Sequence, residues 1–100
     1  MSFAEFQRSV ASDSAAPADA SGALQALWHD ARGDWARAHA CAQEDHGRAG
    51  SWVHAYLHRK EGDLGNAGYW YARARRPPPA ETVTLADEWS QIARALLAEA

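Results

Sequence analysis

One hundred residues are enough for one small domain, with at most a short tail beside it. With 47% apolar and 23% charged residues the chain has an ordinary globular composition, which excludes intrinsic disorder, and its one cysteine, Cys41, excludes an internal disulfide and the four-cysteine zinc frameworks. A net charge of −3 supplies no basic field for nucleic acid, and no stretch reaches the roughly eighteen consecutive apolar residues of a membrane span.

The chain begins Met1-Ser2-Phe3-Ala4-Glu5-Phe6, without the basic start and apolar run of a signal peptide, so a cytoplasmic protein is expected. A first helix is predicted near Phe3–Ser12, where Phe3, Phe6 and Val10 recur at i, i+3 and i+7. Residues 13–20 read as a low-complexity, mobile connection, which sets an N-terminal segment 1–20 apart from a helical domain 21–100. Ser21 caps a helix running to Arg32 with Leu24, Leu27, Trp28 and Ala31 on one face. Asp34 opens a helix to about Glu44, completing a hairpin over 21–45, and Asp45–Gly50 reads as a loop. Ser51 then caps a helix to Glu61, and Leu64 to Arg75 follows, giving a second hairpin over 51–76 that ends at Pro77-Pro78-Pro79. The final helix, 84–98, starts at Thr84 with Asp87 in a capping-box arrangement and carries Leu85, Trp89, Ile92 and Leu96 as an apolar stripe.

The two hairpins are copies of one unit. Residues 26–38 align with 55–67 at an offset of 29, with identities at Ala26/Ala55, His29/His58, Gly33/Gly62, Asp34/Asp63 and Ala38/Ala67. Each glycine can close a helix in the left-handed conformation, and each aspartate can cap the helix that follows. The expected architecture is all-α: stacked antiparallel hairpins, five or six helices, with the last helix covering the apolar edge that the second hairpin leaves open.

The second copy resembles a tetratricopeptide repeat through Ala55, Gly62-Asp63, Ala67, Tyr71, Ala74 and the closing Pro77. The first copy fits at Gly33-Asp34, Trp35 and Ala38 but has Ala42 and Asp45 where the pattern has an aromatic and a small residue. That resemblance covers about residues 21–77 and implies a superhelix whose concave face takes a peptide or protein partner. The blocks Trp28–Trp35 and His54–Asp63 are also similar to those of small helical proteins of bacteria and fungi, which adds nothing to mechanism.

Two sites are candidates. By the tetratricopeptide resemblance, Trp52, Tyr56, Arg59 and Lys60, joined by Asp30 and Leu27 from the first copy, line a ligand groove. Rings supply contact area there, and Arg59 can clamp an acidic group. Set against this, the same residues suit a solvated helix face with Trp52 as a core anchor. The second candidate is His54 and His58, at i and i+4 on one helix, where both imidazoles can share a divalent transition metal with His29 approaching from the neighbouring hairpin. Ala55 stands where a zinc-protease helix needs its glutamate, so that chemistry is not expected, and the repeat equivalence of His58 and His29 equally suits packing. Cys41 and His39 lie at i and i+2, on different helix faces, so they are not read as a nucleophile and its base. The leading expectation is a non-catalytic interaction module, the alternative a His-dependent metal protein or small enzyme. Self-association through the aromatic segment Tyr69–Tyr71 is a further expectation.

Overall fold

A computed structural model describes residues 1–99 and contains six helices among them: α1 Phe3–Ser12, α2 Gly22–Ala31, α3 Trp35–Glu44, α4 Arg48–Lys60, α5 Leu64–Ala74 and α6 Leu85–Glu99. None is long and apolar enough to cross a membrane. The chain is all-α, built from packed helix pairs, with α4 at the centre against α2, α3, α5 and α6.

The repeated Gly-Asp turn works the same way twice. Gly33 (φ 82°) and Gly62 (φ 87°) take the left-handed conformation that other residues adopt only with strain. In the first turn Gly33 N–H donates to the Asp30 carbonyl and Asp34 N–H to that of His29; in the second, Gly62 N–H donates to Arg59 and Asp63 N–H to His58. Asp34 and Asp63 then accept from the Arg37 and Asn66 amides, capping α3 and α5. The α5 helix closes instead on Arg75, left-handed at φ 56°, ahead of the proline run.

The reading of Asp45–Gly50 as a loop with Ser51 as a cap is corrected. The α4 helix begins at Arg48 with Gly47 as its N-cap, and Ser51 lies buried inside it. The cause is Asp45, whose side chain accepts from the Gly47 amide at 3.1 Å and from Ala23 N–H of α2 at 3.2 Å. One carboxylate thereby turns the chain into α4 and, with Ser21, caps α2. Gly50 is required by packing: a Cβ there would stand 1.9 Å from the Asp45 carbonyl oxygen.

The core runs through Phe6, Leu24, Leu27, Trp28, Val53, Leu57, Ile92 and Leu96, so α1 and α6 are part of it. Indole N–H groups fix its edges. Trp28 donates to Ser9 Oγ of α1, Trp35 to the Leu57 carbonyl of α4, and Trp89 to the Leu27 carbonyl of α2. Stacking of Phe6 on Trp89, centroids 5.8 Å apart, joins α1 to α6.

Candidate functional site

Most of the residues read as a ligand groove are engaged by partners within the molecule. Asp30, 3% exposed, accepts from the Tyr56 hydroxyl at 3.0 Å and from Lys60 Nζ at 2.8 Å. Arg59 donates to Glu88 of α6 at 2.9 Å and to the Val83 carbonyl, while Tyr71 donates to the other Glu88 oxygen at 2.5 Å. Burial and the adjoining carboxylates push both the Tyr56 and Tyr71 phenols up, so each stays a neutral donor. Trp52 is half-buried, with the Arg76 guanidinium 4.0 Å from its ring centroid. Of the expected groove a cleft of about 460 Å³ remains open, with Asp30, Tyr56 and Lys60 on one side and Val10, Leu85 and Trp89 on the other.

The histidines form the second cluster, and its membership differs from the expected set. His54 and His58 meet His39 of α3: ring nitrogens of the three lie within 4.8 Å of one another. His29 instead packs edge-on against Trp28 on α2. Helix geometry explains the assembly. His54 and His58 share a face of α4 one turn apart, and the Trp35, Ala38, His39, Ala42 face of α3 lies against α4. That i, i+3, i+4, i+7 pattern was the available signal for His39.

The cluster is walled by aromatic rings. Trp35 stacks on His39 at 4.9 Å and meets His58 edge-on at 6.1 Å, while Trp70 stacks on His54 at 3.9 Å. His54 Nε2 and His39 Nε2 are 2.9 Å apart, so one carries the proton that the other accepts. His58 places Nδ1 2.5 Å from Glu61 Oε1, and its Nε2 is 3.3 Å from the Asn66 amide nitrogen. Asp63 also approaches this side of His58, although its carboxylate is occupied in capping α5.

Burial, reinforced by repulsion from His39 and His58, pushes His54 down to about 4; His39 is lowered by burial and by His58. Both are therefore neutral near pH 7, the protonation state in which imidazole can ligate a cation. The sign for stability follows from linkage. Between the ordinary imidazole value of 6.5 and about 4 the unfolded chain protonates His54 while the folded chain does not. Stability is thus fully present above that window and falls as the pH drops through it, by at most about 1.4 kcal/mol per pH unit for this one group. Urea unfolding at a series of pH values should show this slope, and His54→Phe should flatten it. An identical pH profile in the variant would place the titrating group elsewhere.

Cys41 packs half-buried against the core, and burial pushes its thiol up, which disfavours a reactive thiolate. No family model, curated protein or solved structure matches this chain, so its chemistry rests on the residues themselves.

Proposed function

We propose that the protein binds a divalent transition-metal ion, zinc by ligand type, through His39, His54 and His58. The observation that carries this reading is the convergence of three imidazoles from two helices, with nitrogens inside a 4.8 Å span. Zinc held at about 2.0–2.1 Å by each nitrogen in a tetrahedral arrangement needs neighbouring nitrogens about 3.3 Å apart. The His39–His54 pair at 2.9 Å is closer than that and the nitrogens of the cluster span up to 4.8 Å, so the rings have to turn for their lone pairs to converge, and the donor ring of the pair has to shift its proton from Nε2 to Nδ1. Imidazole donors suit zinc, copper and nickel, and exclude magnesium and calcium as preferred occupants. Glu61 supports the reading too, since a carboxylate on His58 Nδ1 orients the ring and leaves Nε2 as the lone-pair nitrogen. The weak Asn66 contact at Nε2 would give way to the ion.

Elemental analysis and zinc titration of the untagged full chain test the assignment. One equivalent per chain is expected, with binding lost in His39→Ala, retained in His29→Ala, and helical content unchanged in both. Substoichiometric metal, or undiminished binding in His39→Ala, would refute it.

A second reading, a tetratricopeptide-like interaction module taking a peptide or acidic ligand, is favoured by the cleft that Asp30, Tyr56 and Lys60 still line beside α6. It predicts a ligand whose affinity falls in Lys60→Ala and not in His39→Ala.

A further inference from the structure

We infer that the cleft between α1, α2, α4 and α6 binds a small uncharged amide that carries an apolar or aromatic group. This deepens the second reading, on which it rests, by naming the ligand chemistry, and it is independent of the metal. The cleft measures about 460 Å³, within the roughly 300–1,000 Å³ typical of small-molecule sites, and it lies between packed helices, where helical proteins commonly place them. Val10 of α1 with Leu85 and Trp89 of α6 gives it an apolar wall; Asp30 of α2 with Tyr56 and Lys60 of α4 gives it a polar one. Asp30 and Tyr56 are buried and Lys60 is exposed, so the polar groups run from the base to the rim.

Both walls are preformed. Trp89 is fixed by its N–H bond to the Leu27 carbonyl and by Phe6 stacked against it. Tyr56 and Lys60 are both tied to Asp30. A ligand therefore has little side-chain freedom to freeze on arrival, which is what binding of a molecule of few atoms requires.

Charge selects the head group of the ligand. The charged residues in the lining are Asp30 and Lys60, and they are paired with each other at 2.8 Å. An anionic head would meet Lys60 with the Asp30 charge directly behind it, and a cationic head would be repelled by Lys60 at the rim. Either would carry into an apolar-walled cleft a charge with no counter-charge left for it. An uncharged head loses less on leaving water. The Lys60 ammonium has three N–H groups and uses one on Asp30, so it can donate to a carbonyl oxygen. Gln7, exposed on the α1 side of the cleft, adds a side-chain amide that can accept an N–H or donate to a C=O. A carboxamide presents a C=O and an N–H side by side, and the apolar wall takes the group attached to it.

Phenylacetamide, phenylacetate and phenethylamine share one ring and differ in a neutral, negative or positive head. Each is titrated into the full chain while the Trp89 indole N–H is followed by NMR. Saturable shifts are expected with phenylacetamide by about 10 mM, the range that ligand efficiency sets for about ten heavy atoms, with both charged analogues about tenfold weaker. Lys60→Met should weaken phenylacetamide about tenfold. Ala86→Phe, at an exposed position on the cleft, should abolish its binding with helical content unchanged. Tightest binding by phenylacetate would leave the second reading standing with an acidic ligand and overturn this inference. No binding by any of the three would overturn the inference and remove the cleft that favours the second reading. Tightest binding by phenethylamine, or phenylacetamide binding unchanged in either variant, would overturn the inference as well.

Discussion

Glu88→Ala should cost about 3–5 kcal/mol, the range for removing one partner of a buried ion pair, out of the 5–15 kcal/mol that stabilises a domain of this size. Glu88 is 3% exposed, and its two oxygens hold Arg59 and Tyr71, so alanine would strand a partly buried guanidinium and a phenolic hydroxyl at once. The loss should appear as a lower urea midpoint with an unchanged slope. The combination Glu88→Met, Arg59→Met and Tyr71→Phe should recover most of it, because no charge or hydroxyl of the network is then left unpaired and only the half-exposed Val83 carbonyl loses a donor. A loss below about 1 kcal/mol in Glu88→Ala would mean that water already screens the pair, as at an exposed salt bridge.

Gly50→Ala should be similarly damaging, by about 3 kcal/mol or more, although alanine is ordinarily the better helix former. The added Cβ would lie 1.9 Å from the Asp45 carbonyl oxygen and 2.6 Å from its Cβ, so main chain rather than a flexible side chain has to move. Moving Asp45 also breaks its bonds to the Ala23 and Gly47 amides and loosens the starts of two helices. The control is Gly68→Ala, inside α5 with nothing within 4 Å of the new Cβ, which should gain about 0.5–1 kcal/mol. Thermal unfolding of the two variants side by side checks both signs. A stable Gly50→Ala protein would show that the turn between α3 and α4 can relax.

The contrast between these glycines bears on what can be read from sequence. Gly33 and Gly62 were legible because their role is local: each sits between a helical run and an aspartate, and the repeat presents the pair twice. Gly50 misled because its requirement is tertiary. Gly47 and Gly50 look like loop punctuation, whereas Gly47 is an N-cap and Gly50 admits Asp45 against the helix. The histidine cluster was half legible. His54 and His58 follow from one-turn spacing, but His39 enters through the pairing of α3 with α4, and repeat equivalence drew attention to His29 instead. For the groove, the informative residue was Glu88, one turn from Leu85 and beside Trp89 on the apolar stripe of α6. A carboxylate in such a stripe needs buried donors, and Arg59 and Tyr71 are those donors.

The indole bond from Trp89 to the Leu27 carbonyl joins residues 62 positions apart, and it has a bearing on biosynthesis. A nascent chain emerging from the ribosome presents both hairpins before it presents α6. Until α6 arrives, Leu27, Asp30 and Tyr56 face water or whatever else is nearby, and the cost of closing so long a loop slows their covering. During that interval the half-made protein exposes surface of the kind that favours chaperone binding and self-association. A chain cut before residue 85 should keep this surface open and associate with itself, whereas the chain carrying α6 covers it.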